Sequence, residues 1–451
     1  MKIGRFDRLM LVLLAVLAIG LAAVALIANT VGLKLPQLVN AEIGARGPME
    51  ITFDQKMQTA SVESHWQSDP KVSGHFSWDG QTMIFWPDAA LEAGKTYTFR
   101  LQSGALSEDG QIIRQEGNWQ VAVRKPEVVF LSPATDGSDI WKAAQDGSGR
   151  VQLTQTGNKV YDFGISFDGE WIVYSAKNSQ AGTDLWVVQR DGKNSRKVVD
   201  CGGDTCIQPN WSPDGKWIAY SRKRLSVVQG ETYSPLPRIW TVELASGKTA
   251  PLFQDVKISG TNPSWSPDGK RLAFFDPSAK VIQVLNTDTG KELMLQSQLG
   301  VVGSWSADSQ KLWYGDLVSS DSLPFGSAYV VDVNSEQVKQ LFTGLSDPVD
   351  IGVPAPTPDG TWIAVGERFQ GGSRSVQLAL SRPDGSDSIK ITDEATYTHG
   401  AYSWDAYGSK LLFQRILIAS SQSKPEVMIW ERATNKTHSV AQDAALPEWL
   451  P

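Results

Sequence analysis

Cysteine and histidine are scarce in this 451-residue chain, with two of the first and four of the second. The cysteine pair has no second Cys or His pair to complete a tetrahedral zinc site, and only His399 and His438 fall after residue 125, too few for a histidine-rich metal centre, so no metal and no cofactor is expected. No run of lysine or arginine follows the N-terminus, and the formal net charge is −7. Phosphate neutralisation needs a basic stripe, which argues against nucleic acid as a partner. A Gly-x-Ser-x-Gly nucleophile elbow is missing as well. On these grounds the chain is expected not to be an enzyme, and no catalytic residue is assigned. The two cysteines, Cys201 and Cys206 in "DCGGDTCIQ", are spaced either for a disulfide that pins one loop or for a pair of free thiols.

Charge is also missing between Leu9 and Leu33, in "LMLVLLAVLAIGLAAVALIANTVGL". Its most apolar part, residues 9–28, would span about 30 Å as a helix, enough to cross a bilayer. A cleaved signal peptide has a shorter apolar core followed by a small-x-small site, and here Ala23-Val24-Ala25 lies inside the run. Residues 9–33 are therefore expected to be an uncleaved transmembrane anchor, after a basic cytoplasmic end at 1–8 that carries Lys2, Arg5 and Arg8. The positive-inside rule then places everything after a short linker, 34–40, outside the cytoplasm, in the periplasm or on the cell surface.

What is plentiful is tryptophan. Seventeen occur, thirteen of them from Trp141 onward. Between 41 and 124 the text alternates apolar and polar residues in short runs, "MEITFDQ", "HFSWDGQTMIFWP", "KTYTFRLQS" and "NWQVAVR", as half-buried strands do. Asp79-Gly80 and Asp109-Gly110 supply turns, and the pattern predicts an immunoglobulin-like sandwich. The stretches "ITFDQKM", "WDGQTMIFWPDAALEAGKTYTF" and "NWQVAV" resemble the SbsA-type bacterial Ig-like domain family, with Leu91-x-x-Gly94-x-x-Tyr97 as the most specific part. That resemblance implies a stalk or adhesive module.

From residue 125 onward one phrase recurs: "ISFDGEWIVYS", "NWSPDGKWIAYS", "SWSPDGKRLAFF", "SWSADSQKLWYG", "APTPDGTWIAVG" and "SWDAYGSKLLFQ". Its turn aspartates, Asp168, Asp214, Asp268, Asp308 and Asp359, are separated by 46, 54, 40 and 51 residues. A period of about 40–50 residues with four strands per unit predicts a β-propeller. Proline at the second turn position and glycine at the fourth suit a tight hairpin. Glu127 opens an incomplete unit that has no first strand, and the closing "PEWLP" repeats the start of the phrase, with Trp449 where Trp211 and Trp265 stand. Residues 125–451 are thus expected to form seven blades, the C-terminal strand completing the first. The repeat resembles the WD40-like PD40 repeat of TolB-type propellers. Ser309 in place of the turn glycine, Thr357 in place of Trp-Ser, and Asp405-Ala406-Tyr407-Gly408 are its departures.

The fold expected is all-β after the anchor. The turn aspartates read as backbone caps, because six turns spread around one rim cannot converge on a site. The loops between second and third strands vary in length, and function on repeat frames is usually carried by such loops. They nominate Arg222, Arg224, Tyr233, Phe369, Arg374 and Arg415 as a face for an anionic or peptide-like partner. The function expected is binding or scaffolding at the bacterial envelope, with an envelope protein, peptide or glycan as partner. A glycan lyase or hydrolase with its site in the central channel, and a purely architectural spacer, are the alternatives.

Overall fold

The computed structural model describes all residues except 1–9, 11–12, 21–32, 135–136, 225, 229–230, 234, 319–324, 343–348, 370–374 and 419–421. Most of the proposed anchor, 9–33, lies outside the described residues, while residues 13–20 within it are helical. Among the described residues no helix is long and apolar enough to cross a membrane. The chain divides into two compact units, Met1–Lys125 and Pro126–Pro451.

The first unit is a sandwich of two four-stranded sheets. One contains Gln37–Leu38, Met49–Thr52, Thr82–Pro87 and Gly74–Asp79, in that order, and the other Glu42–Ile43, Gly117–Val123, Thr96–Leu101 and Trp66–Asp69. Alternation in the sequence becomes alternation in burial: in Thr82–Pro87, Met83 and Phe85 point inward and are essentially solvent-free. Trp66 packs against Phe99 and Trp119 of its own sheet, at 5.6 and 6.1 Å between rings, and against Phe76 and Phe85 of the other. Such aromatic contacts hold two small sheets together without the Cys–Trp–Cys arrangement. The Leu-x-x-Gly-x-x-Tyr motif has a local reason. Leu91 is buried, Gly94 takes φ 77°, and the Tyr97 hydroxyl accepts a hydrogen bond from the Glu92 amide at 3.1 Å. Two elements differ from the sequence reading. Gln37–Leu38, within the stretch assigned as linker, pairs with Ile51 and Thr52, and a six-residue helix, Thr59–Ser64, interrupts the strands.

The second unit is a propeller of repeated four-stranded antiparallel sheets. The plainest contains Thr261–Trp265, Arg271–Asp276, Val281–Asn286 and Glu292–Gln296 in sequence order. The same order recurs from Val301 to Gln340 and from Tyr397 to Gln442. Between Val349 and Lys390 it recurs with the first strand split into Val349–Ile351 and Ala355–Pro356. Two further units, starting at Val160 and Thr205, are joined by one parallel pairing, Thr183 with Thr205, into an eight-stranded sheet. The remaining sheet is drawn from both ends of the unit, with Ala445–Leu450 paired antiparallel to Glu127–Ser132, then Asp139–Ala143 and Val151–Gln152.

The recurring turn explains its own sequence. Ser212 Oγ donates to Asp214 Oδ1 at 2.6 Å, the Lys216 amide donates to the same oxygen at 3.1 Å, and the Trp217 amide donates to Ser212 Oγ at 2.9 Å. This constellation repeats around Asp168, Asp268, Asp308 and Asp359, so these carboxylates are capping groups. Glycine holds positive φ at the turn, 68° at Gly215 and 70° at Gly269. Ser309 takes 60° without that freedom, and its hydroxyl accepts from the Asp268 amide of the preceding sheet at 2.9 Å. Tryptophans link sheets in the same directed way. The indole N–H of Trp211 donates to Gly164 O, that of Trp305 to Ser264 O, that of Trp404 to Ala355 O and that of Trp449 to Ser403 O, at 2.9–3.3 Å. Each acceptor belongs to the four-stranded unit before, so these side chains pack one unit on the next.

Candidate functional site

The first strands carry a bulge just before the repeated tryptophan. Register shifts fall between Val160 and Asp162, Ile207 and Asn210, Thr261 and Ser264, Gly400 and Ser403, and Ala445 and Glu448. Gln208, Asn262, Ala401 and Leu446 take positive φ there. A polar chain links three of these bulges: the Gln208 amide donates to Asp162 Oδ2 at 2.6 Å, and the Asn262 amide to Gln208 Oε1 at 3.0 Å. Asp162 Oδ1 also accepts from Ser175 Oγ. Burial raises the Asp162 carboxyl to about 6. Glu448, on the closing strand, is pushed up to about 7 by burial and then by the negative charge of Asp162. Among the described residues no group of three or more His, Cys, Asp or Glu side chains is placed to hold a metal.

A second polar site opens where the second strand of one sheet ends, at Arg222 and Arg224. The third strand begins there at Arg238, and the connection to the next sheet passes at Val256 and Lys257. The hollow is about 410 Å³, with Pro235, Leu236 and Trp240 among its walls. Arg222 stacks on Trp240 with its guanidinium carbon 4.8 Å from the ring centre, and its Nε donates to Asp204 Oδ2 at 2.8 Å. Arg224 reaches the same carboxylate through Nε at 3.8 Å and keeps a 67% exposed side chain. Arg238 donates through Nη2 to the carbonyls of Phe253 and Asp255.

The other nominated residues scatter. Arg415 is on the second strand of the sheet from Tyr397 to Gln442, far along the chain from this hollow. There it donates to Glu394 and Glu426, each at 2.9 Å, and lies 4.4 Å from the centre of the Tyr397 ring. Its charge is already met by two internal carboxylates, so a partner's anion would have to displace them. Tyr233 lies in Glu231–Tyr233, a short strand paired with Ser226–Val228, and the Phe369 backbone pairs with Val349. Arg374 lies outside the described residues. Sequence reasoning missed Arg238, Trp240, Val256 and Lys257 as neighbours of Arg222, because they come from two other stretches of chain and no motif marks them.

Cys201 and Cys206 are bonded to each other and both are buried. Asp204, the acid that holds Arg222, sits inside this loop, and its amide donates to Cys201 O at 3.0 Å. Removing the bond by Cys201→Ser with Cys206→Ser is expected to cost about 2 kcal/mol, the loop-closure value for so short a loop. It should lower the propeller's melting temperature. Equal melting of variant and parent under non-reducing conditions would refute the expectation.

His399 is buried beside Phe413. Its Nδ1 lies 2.8 Å from Val376 O, and burial lowers its pKa. Glu394 is 4.0 Å away. His438 contacts the Gln145 carbonyl, His65 the Ser61 carbonyl and the Ser64 hydroxyl, and His75 the Asp88 carboxylate. Among the described residues no histidine stands between a serine or cysteine and a carboxylate.

Comparison with known proteins places both units. Residues 36–120 match the family model described as a bacterial Ig-like domain. Dipeptidyl-peptidase 5 of Porphyromonas endodontalis is 31% identical over 153 residues, 32% of this chain and 20% of that protein. The Tol-Pal system protein TolB of Francisella tularensis is 31% identical over 91 residues, 20% of this chain and 19% of that protein. A solved puromycin-hydrolysing peptidase of Mycobacterium tuberculosis shares the fold at 14% identity and TM-score 0.52, over 78% of this chain and 53% of that one. The chain therefore spans about a fifth of the length of each of these two curated relatives. The peptidases among them overturn the expectation that this chain is not an enzyme. That expectation rested on nucleophile motifs, which report only on the segment that carries them, whereas a propeller shared with peptidases carries no such motif of its own. The chain joins a bacterial Ig-like domain to a β-propeller.

Proposed function

We propose that this protein takes part in peptide hydrolysis at the cell envelope, with the propeller as the part that receives and orients the peptide. The single observation that carries this reading is the 31% identity over 153 residues with dipeptidyl-peptidase 5. The hollow at Arg222, Trp240 and Lys257 supports it, since an aromatic face beside cations and aliphatic side chains can take both the apolar and the acidic groups of a peptide. Holding a substrate in one orientation can account for a large share of a rate enhancement, and it is chemistry that a rigid repeat frame supplies. The nucleophile is not assigned to any described residue.

The proposal includes a propeller of seven blades. It rests on counting each four-stranded unit once, the eight-stranded sheet as two, and the sheet shared by both ends as one. It also includes anchoring by residues 9–33, with the propeller outside the cytoplasm. The charge-free run and a disulfide, which persists in oxidising compartments, support that placement.

The test is a turnover screen of the full chain, in detergent, against a mixed-sequence peptide library and a panel of bacterial polysaccharides. Cleaved peptides read by mass spectrometry are the expected result. Turnover of polysaccharide alone would replace the reading by a glycan-cleaving one. Neither turnover nor peptide binding would end it.

A further inference from the structure

The hollow beside the disulfide loop has two kinds of cation. Arg222 and Arg238 are walls: the first is committed to Asp204 and Trp240, the second to two backbone carbonyls. Arg224 and Lys257 are not committed in this way. The Nη nitrogens of Arg224 and the ammonium of Lys257 have no partner among the described residues, and the nearest carboxylate to Arg224 is the one Arg222 already holds. Next to these cations stand Leu236, 51% exposed, and Val256, 76% exposed. An exposed valine and leucine flanking unspent positive charge, above a tryptophan face, form an amphipathic surface of the kind that marks an interaction site.

The neighbouring sheet provides an internal control. At the equivalent place it has a hollow of about 340 Å³, lined by Trp186, Lys159, Lys177, Lys197, Asp184 and Asp200 among others. There Lys197 lies 5.6 Å from the Trp186 ring centre, as Arg222 lies over Trp240. Yet Lys197 is closed off by Asp184 at 2.7 Å and Asp200 at 3.2 Å. The architecture is repeated, but among the described residues the control hollow is lined by the carboxylates of Asp184 and Asp200 and by no aliphatic side chain, whereas the hollow at Arg224 is lined by Leu236 and Val256 and by no carboxylate.

We infer that the hollow at Arg224, Leu236, Trp240, Val256 and Lys257 is a docking site for a peptide carboxylate next to an apolar side chain. This deepens the peptide reading above and rests on it. The carboxylate meets Arg224 and Lys257, and the apolar side chain lies on Leu236, Val256 and the edge of Trp240. The volume of about 410 Å³ falls within the roughly 300–1,000 Å³ of small-ligand sites, so a short peptide segment fits and a folded partner does not enter it. A nucleic-acid strand is a poor fit, because the chain has a net charge of −7 and no run of lysine or arginine after its N-terminus. The carboxylate can be a chain terminus or an acidic side chain, which offer the same oxygens to a guanidinium.

Fluorescence anisotropy with the full chain separates the cases. Three fluorescein-labelled hexapeptides are compared: one ending in leucine with a free carboxylate, its C-terminal amide, and that amide with glutamate before the leucine. At least one carboxylate-bearing peptide should bind about tenfold more tightly than the plain amide. Binding of the free acid alone assigns a chain terminus, and of the glutamate amide alone an acidic side chain. Arg224→Glu with Lys257→Glu should abolish that preference, and Val256→Asp should weaken all three peptides. Lys159→Glu, in the control hollow, should change nothing. These side chains are exposed, and an unchanged melt confirms that each variant is folded. If the double variant binds the acidic peptides as the parent does, the docking site is refuted while peptide binding stands. If the plain amide binds as tightly as the acids, the carboxylate assignment is refuted. If the parent binds no peptide at all, the peptide reading falls and the site with it.

Discussion

Removal of residues 445–451 is expected to unfold the propeller at temperatures where the full chain is stable. The lost segment supplies the whole strand that pairs with Glu127–Ser132, opposing Ala445 to Leu131, Glu448 to Val129 and Trp449 to Val128. Leu450 is solvent-free in a core shared with Val129, Ile140 and Ile172, and a buried leucine alone is worth about 2–5 kcal/mol. The Trp449 indole donates to Ser403 O, and the Pro451 carbonyl accepts from Arg190 Nη1 at 2.7 Å. The deletion thus strips contacts from the sheets on both sides and leaves the edge of Glu127–Ser132 without its partner. Their sum approaches the roughly 5–15 kcal/mol that stabilises a typical domain. Calorimetry of the truncated chain should show the propeller transition lowered by well over ten degrees or absent. A transition within two or three degrees of the parent's (about 1 kcal/mol or less on this scale) would overturn the argument.

Replacing Glu448 by glutamine is expected to stabilise the propeller at pH 8 and to leave it nearly unchanged at pH 4. The folded-state pKa values of Glu448 and Asp162, about 7 and about 6, lie above their ordinary values of 4.5 and 3.8. A raised carboxyl binds its proton more tightly in the folded chain than in the unfolded one. Its favourable contribution is therefore complete below about pH 4 and is lost as pH rises through 6 and 7. The causes are burial first and the mutual repulsion of the two carboxylates second, both at the seam where the closing strand meets the next sheet. Ser175 and the Gln208 amide already serve Asp162, so its ionised form is the better supported of the two. Glutamine removes one charge and its penalty, on the order of 2 kcal/mol at pH 8. The measurement is the melting-temperature difference between variant and parent from pH 4 to 8. It should grow by a few degrees between about pH 4.5 and 7, with a midpoint just below 6, and a variant less stable than the parent at pH 8 would contradict the account.

Much of this could be read before any coordinates. The Ser-Pro-Asp-Gly phrase dictates its turn within six residues, because serine, aspartate and two amides satisfy one another locally. Alternation marked the sandwich strands, and the repeated tryptophan marked the closing strand, since Trp449 stands where Trp211 and Trp265 stand in their own repeats. The short strand Gln37–Leu38 and the helix Thr59–Ser64 were not legible. Neither carries a periodic signal of its own, and the strand forms because Ile51 and Thr52 offer it an edge. Arg415 shows the opposite error. In the sequence it is an exposed loop cation, whereas the fold brings Glu394 and Glu426 to it from either side.

The amino-acid sequence by itself determined the two architectures and the way the second one closes, because turn chemistry and hydrophobic period act over ten residues or fewer. Only the tertiary structure decided which charges are spent and which remain. Asp162 and Glu448 come together across the closing seam, and Arg224 and Lys257 share a hollow whose walls come from three stretches of chain. Their charges act through space, and the distances between them are set by how the sheets stack around the ring.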